Sequence, residues 1–366
     1  MRKLLVVVVL LAAAVAGGYF WLQDAFYAPG PSTDIVRIQV EQGASVRTVL
    51  LDLAKQGALQ QPRAVELYLR ISRHVKGHQP RIQVGMYEIP AGASPAQILE
   101  LFDQGRVVLE QLTIIEGSRF ADLRHSLDNH AAVTHTLQGK TDEEVMTALG
   151  HQGEFPEGRF FPDTYRFAAK TTDAEILGLA YSAMQRTLDE AWQQRSTDLP
   201  FQTPYEALIL ASIVEKETGL PAERPKIAGA FVTRLRKGIR LQTDPAVIYG
   251  LGAGYDGSIR TRDLTTDTPY NTYTREGLPP TPIALPGRES ILAAVRPQET
   301  GEIYFVATGE GGHHFSKTLE EHNAAVKSYL EHLRAQQHGG LPAHGPATAG
   351  KVKSQSQTGA HGAVPQ

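Results

Sequence analysis

The stretch that most restricts the fold of this chain runs from Thr203 to Gly219. Thr203 suits an N-cap, Pro204 the first helical position, and Glu206 the returning arm of a capping box. The apolar run Ala207 to Val214 follows, then Glu215-Lys216-Glu217-Thr218, with Gly219 and Pro221 as stop signals. This pattern predicts a helix of about four turns. Its middle is apolar on nearly every face, so it must lie inside the protein, with other elements packed around it. A buried helix that closes on two acids is unusual, because an unpartnered buried carboxylate is costly. Either the acids reach solvent at the helix end or they do chemistry there.

The 366 residues are enough for two domains, and the formal net charge of −3 argues against an electrostatic nucleic-acid binder. The absence of cysteine removes disulfides, thiolate nucleophiles and zinc–thiolate sites. Met1-Arg2-Lys3 is a short basic flank, and Leu4 to Leu22 carries no charge. As a helix this run spans about 28 Å, close to a bilayer's hydrocarbon core. Tyr19, Phe20 and Trp21 crowd its far end like an interfacial belt. The positive flank predicts that residues 1–3 stay in the cytoplasm and that everything after Leu22 lies outside it. A cleaved signal peptide is the competing reading, with Ala14-Val15-Ala16 as its cleavage site. The apolar run exceeds an ordinary signal h-region and continues past that site, which favours an uncleaved anchor.

Residues 23–34, with Pro29-Gly30-Pro31-Ser32, read as a linker. Then comes a loosely repeated unit. Val36 to Val40 alternates like a strand and leads through Gly43-Ala44-Ser45 into a helical pattern. Gly85 to Ile89 leads likewise through Gly92-Ala93-Ser94 into Ile98, Leu99 and Phe102, with Ser45 and Ser94 as expected caps. A weaker third echo begins at Leu112, and an amphipathic helix over 63–74 separates the first two copies. Such strand–helix units with a Gly-x-Ser turn resemble LysM modules, which bind N-acetylated glycans; a generic α+β packing module has the same pattern. Further on, Phe155 to Tyr165 is a proline- and glycine-stiffened aromatic strip, in which Asp163 and Tyr165 either line a site or cap a turn. Helices are expected over 173–195 and 225–237, the latter ending in Arg234, Arg236 and Lys237, cations suited to the helix dipole. Asp244 is expected to cap a short helix begun by Pro245. A strand over 303–307 and a helix opened by a Thr318/Glu321 capping box close the ordered pattern.

Three chemistries are available. His313, His314 and His322, with Glu321 nearby, lack the spacing of a metal site. No Gly-x-Ser-x-Gly elbow offers a serine nucleophile. Carboxylate acid–base work at Glu215 or Glu217 remains, and glycosidic bond cleavage is what such chemistry does best. These two acids stand about 200° apart on a helical wheel, so one faces inward when the other faces out. Periodicity does not choose between them. A carboxyl in the last turn feels the negative end of the helix dipole, and partial burial raises its pKa in the same direction.

The run Ala211 to Thr218 resembles the signature of the MltG/YceG family of endolytic murein transglycosylases. The similarity extends through Glu157-Gly158, Phe161 to Tyr165, Arg240 to Pro245, Tyr270 to Tyr273, Gly277 to Pro280 and Gly311-Gly312-His313, over roughly residues 35 to 330. It implies that the second glutamate of the triplet, Glu217, is the catalytic acid and base. Glu217 would protonate the oxygen between MurNAc and GlcNAc, then accept the proton of the MurNAc C6 hydroxyl as that oxygen attacks C1, leaving a 1,6-anhydro end. Gln242, Thr243, Asp244, Asn271 and Tyr273 are the candidates for holding the glycan, and Glu215 becomes a structural partner. No metal or cofactor is implied.

The expectation is therefore an α+β protein with a single transmembrane helix over 4–22, a LysM-like subdomain over 35–110, a mixed α+β catalytic domain over 111–335 and a disordered tail over 336–366. Its partners would be peptidoglycan glycan strands and the bacterial inner membrane, with peptidoglycan synthases as candidates and no nucleic acid. A muramidase using water and a non-catalytic wall-binding scaffold are the alternatives.

Overall fold

The structure is a computed structural model that describes residues 2–41, 43–76 and 81–338. It is mixed α+β, and the chain divides into two compact units. The first holds the chain up to Leu112 with His130–Thr136 and Tyr165–Asp173; the second holds Thr113–Asn129, Leu137–Thr164 and the chain from Ala174 on.

The first unit opens with α1 (Arg2–Tyr27), followed by β1 (Val36–Val40), α2 (Val46–Lys55), α3 (Pro62–Lys76), β2 (Gly85–Ile89), α4 (Pro95–Asp103) and most of β3 (Leu109–Thr113). The two repeated strands pair with each other: β1 runs antiparallel to β2, with Ile38 opposite Tyr87 and Val40 opposite Gly85. Alternation then works as expected, since Ile38, Val40, Tyr87 and Ile89 all face the core. Both expected serine caps are present. Ser45 accepts from Thr48 N, and Ser94 forms a full capping box with Gln97.

Among the described residues one helix, α1, is long and apolar enough to cross a membrane, and its most apolar stretch has no buried residue. It does not stop at Leu22. It runs on to Tyr27, into the stretch expected as a linker, because its last turns bury Leu22 and Phe26. Phe26 stacks on Tyr68 of α3 at 4.3 Å between ring centres.

The second unit contains α5 (Phe120–Asp128), α6 (Asp142–Ala148), nearly all of α7 (Asp173–Gln193), α8 (Pro204–Glu217), α9 (Arg224–Arg236), α10 (Asp244–Leu251), α11 (Thr261–Thr265), α12 (Arg288–Val295), β5 (Tyr304–Ala307), β6 (His313–Ser316) and α13 (Leu319–His338). Between α6 and α7 the chain forms β4 (Thr164–Ala168), the partner of β3. Helix α13 covers the first residues of the expected tail, and the remainder of that tail lies outside the described residues.

Helix α8 is the centre of this unit. Every residue from Ala207 to Val214 is buried, and α9 and α12 pack on it. The buried Ser212 hydroxyl donates to Ile209 O and accepts from Ile283 N, so no polar group is stranded in the apolar run. Helix α9 lies so close to the chain at Gln298 that a Cβ on Gly229 would stand 2.1 Å from Gln298 O, which leaves room only for glycine.

The start of α8 is built as its sequence reads. Thr203 Oγ1 accepts from Glu206 N, and the Glu206 carboxylate accepts from Thr203 N in return. Thr203→Ala is expected to destabilise the protein by about 1 kcal/mol, seen as a lower denaturant midpoint with an unchanged slope. A midpoint that does not move would mean that packing alone holds this end of α8.

Candidate active site

Three consecutive residues at the end of α8 leave in three directions. Lys216 donates to Gly117 O at 3.0 Å. Glu215 turns inward, its side chain only 5 % exposed, and accepts from Arg224 Nη2 at 3.0 Å and from Gly287 N at 2.9 Å. The Arg224 guanidinium is 8 % exposed and also lies 3.7 Å from Glu116 Oε2. A buried carboxylate matched in this way by an arginine and a backbone N–H is held in place and has its charge compensated.

Glu217 is the last helical residue. Thr218 follows in extended conformation, so the helix ends two residues before the expected glycine, Gly219. The partly buried Glu217 carboxyl accepts one hydrogen bond among the described residues, from Thr243 Oγ1 at 2.5 Å. Burial pushes its pKa up to about 7; the Thr243 bond opposes the shift, the Asp244 charge adds to it, and the Arg234 charge opposes it. The two acids that periodicity leaves level are thus distinct: one is locked in an ion pair, and the other can hold a proton near neutrality.

Thr243 reaches Glu217 through a reversal at Gln242, a non-glycine residue in the left-handed region at φ +50. That conformation costs on the order of 1 kcal/mol and is held by its neighbours. Gln242 N donates to Thr272 O, Thr243 N donates to Thr272 Oγ1, and Thr272 Oγ1 donates to Thr243 O. Arg234 secures the same loop from below, donating to Leu241 O at 2.7 Å and to Ile303 O at 2.6 Å. This cation at the end of α9 therefore organises the site as well as facing the helix dipole. Thr243, not Asp244, takes the N-cap position of α10, yet it makes no side-chain cap, because its hydroxyl goes to Glu217. Asp244 accepts from Tyr273 Oη at 2.6 Å, and burial together with the Asp244 charge pushes that phenol above its usual range.

Of the five residues expected to hold glycan, Thr243, Asp244 and Tyr273 gather around Glu217, and Gln242 is exposed on the adjoining turn. Asn271 differs. It is 1 % exposed, its amide donates to the carbonyls of Asp263, Leu264 and Thr266, and its Oδ1 accepts from Tyr273 N. With donors and acceptor engaged, Asn271 shapes the loop that presents Tyr273 and is not offered to a ligand. Asp163 caps its own turn through Thr164 N.

Two features escape sequence reasoning. Glu157, in the aromatic strip, is buried and accepts from Phe120 N at 2.9 Å and Tyr249 Oη at 3.1 Å; burial, against those bonds, pushes it up to about 7. Its place in the Glu157-Gly158 motif marks it in the sequence, but nothing there shows that it is buried and protonated. Glu223 accepts from Thr218 Oγ1 at 3.2 Å and from both the backbone N and Nδ1 of His313, each at 2.8 Å. The three histidines weighed as metal ligands thus go to separate places: His313 to Glu223, His314 to the other face of its strand, and His322 onto the Tyr304 ring.

The sequence profile of the YceG-like family matches residues 38–328, and the chain belongs to that family. The endolytic murein transglycosylase of Bacillus subtilis (strain 168) is 30% identical over 318 residues, covering 82% of this chain and 86% of the relative. The endolytic murein transglycosylase of Streptococcus pneumoniae serotype 2 (strain D39 / NCTC 7466) is 26% identical over 360 residues, covering 86% of this chain and 63% of the longer relative. A crystal structure of a yceG-like protein from Listeria monocytogenes aligns over 80% of this chain and 99% of its own, at 26% identity and a TM-score of 0.49. The family read from the motifs is therefore the right one.

Two outcomes follow from the buried charges. Arg224→Met strands the Glu215 carboxylate and is expected to cost about 3–5 kcal/mol by denaturant unfolding, with a smaller loss when Glu215→Gln is added. Glu157 holds its proton more tightly folded than unfolded, since about 7 lies above the ordinary 4.5. Its stabilisation is complete below the lower value and is lost as pH rises through the upper one. Melting temperature should therefore vary less with pH across that window in Glu157→Gln than in the parent; equal slopes would refute the assignment.

Proposed function

We propose that this protein is a membrane-anchored endolytic murein transglycosylase that cuts the MurNAc–GlcNAc bond of nascent peptidoglycan with Glu217 as its single acid and base. The observation that carries this reading is the contrast at the end of α8. Glu215 is neutralised by Arg224, while Glu217 is raised to about 7 and accepts a hydrogen bond only from the Thr243 hydroxyl among the described residues. A carboxyl with that pKa is protonated often enough to donate and, once ionised, basic enough to take a proton back.

In the proposed reaction Glu217 gives its proton to the glycosidic oxygen as the C1–O bond breaks. The MurNAc C6 oxygen then closes on C1, and its proton passes to the Glu217 carboxylate, which restores the starting state. No water is consumed and no second carboxylate is needed to activate one. Thr243 orients the carboxyl. Gln242, Asp244 and Tyr273 are the proposed contacts to the sugar, and Asn271 acts through the loop it holds. The names of the Bacillus and Streptococcus relatives support the substrate class. The exposed apolar surface of α1 supports an anchor in the inner membrane with the remainder outside the cytoplasm. The paired β1–β2 unit is the proposed LysM-like glycan-binding part. Placed there, the enzyme would terminate elongating strands beside the synthases that make them.

Glu217→Gln should lower turnover of purified glycan strands by about 10³-fold while the melting temperature is kept. In the parent, kcat should fall as pH rises past about 7, because the acid must be protonated to act. Mass spectrometry of the products decides the chemistry: anhydro ends support the transglycosylase, and ends heavier by one water would replace it with a muramidase. Undiminished turnover in Glu217→Gln would remove Glu217 from the mechanism.

A further inference from the structure

The residue directly after Glu217 is tied to the β5–β6 hairpin by one carboxylate. Thr218 Oγ1 accepts from Leu220 N and donates to Glu223 Oε2, at the end of the short turn Pro221–Glu223. Both Glu223 oxygens then receive His313, Oε1 from its backbone N and Oε2 from Nδ1. A Cβ on Gly312 would stand 3.1 Å from Glu223 Oε1, a tight contact that the glycine avoids. Burial works to raise the Glu223 pKa, but the bonds from the His313 ring and backbone hold it below the usual range, so it remains an acceptor.

An ionised carboxylate at Nδ1 assigns the hydrogen of a neutral imidazole to that nitrogen and leaves the lone pair on Nε2. The ring plane is fixed as well. Phe305 meets it edge-on at 5.6 Å and Phe315 lies at 6.5 Å, while Phe305 is itself edge-on to Phe231 of α9 at 5.6 Å. The side chain keeps 18 % exposure, and Nε2 has no hydrogen-bond partner among the described residues. An imidazole oriented at Nδ1, flanked by two aromatic rings and without a hydrogen-bond partner at Nε2 among the described residues is a prepared acceptor. Two hydrogen bonds separate it from the residue that follows the proposed acid.

We propose that His313 is a saccharide-binding residue of this site: Nε2 accepts a hydrogen bond from a hydroxyl or acetamido N–H of the glycan bound at Glu217, with Glu223 setting the tautomer. This rests on the function proposed above. It differs from a purely structural role, in which the Glu223–His313 bond only fastens the hairpin to the end of α8.

His313→Asn separates the two roles, because an asparagine amide can replace Nδ1–H toward Glu223 and offers nothing in place of Nε2. With the full chain, this variant is expected to keep the parental melting temperature and to lose roughly tenfold in kcat/KM on glycan strands, mostly through KM. In the inactive Glu217→Gln chain, the ¹⁵N resonance of His313 Nε2 should shift when N-acetylated glycan strands are added, while Nδ1 keeps its proton. Parental kcat/KM in His313→Asn at an unchanged melting temperature, or an Nε2 resonance that stays in place at saturating glycan, would overturn the proposal. If His313→Asn melts early, the Nε2 resonance alone decides. A parent chain that binds glycan strands without cutting them would defeat the proposed reaction and leave this binding test intact.

Discussion

Eight consecutive buried residues, Ala207 to Val214, leave α8 no face toward water. Every polar group at its end must then be met by protein or put to use. Arg224 meets Glu215, and the pair is stable because Gly287 N satisfies the second carboxylate oxygen. That ion pair fixes the rotation of the last turn. Once Glu215 is turned inward, Glu217 is carried to the other side, where Thr243 waits and, among the described residues, no arginine donates to it. The geometry of the site descends from where this one buried charge found its counterion.

Burial is the largest influence on the Glu217 carboxyl, and its charged neighbours act on it in opposite directions. Arg234 is close enough to act on the carboxyl, while its Nε and Nη1 donate to the carbonyls of Ile303 and Leu241. It therefore contributes positive charge without a direct bond that would fix Glu217 as an anion. Asp244 works the other way, and desolvation outweighs both. A carboxyl raised by burial alone would respond to any change in water access; here fixed charges of both signs surround it.

Local rules were readable from the sequence, and distant pairings were not. The caps at Ser45, Ser94, Thr203 and Thr318, the strands at Val36 and Gly85, and the length of α8 depend on residues within a few positions of one another. The choice between Glu215 and Glu217 depends on Gly287, 72 positions away, and on Thr243, 26 away, which no helical wheel contains. Glu223 and His313 lie 90 residues apart and meet only because the β5–β6 hairpin packs against α9. Asn271 shows the opposite limit. Its residue type suits a sugar amide and a backbone carbonyl equally well, and only the fold shows which of them it serves. The end of α1 differs from its expected bound for a related reason, since a polar stretch after an apolar run reads as a linker, whereas Phe26 is stacked on Tyr68.

That stacking changes what α1 can do mechanically. A helix continuous from Arg2 to Tyr27 extends for about 39 Å, and its final turns belong to the core of the first unit. The helix runs unbroken through Gly17-Gly18 to Phe26. In a bilayer, a tilt or rotation of the apolar part would carry the β1–β2 unit with it as one lever arm. The height and facing of that unit above the lipid would then be set by the thickness of the membrane rather than by a flexible tether.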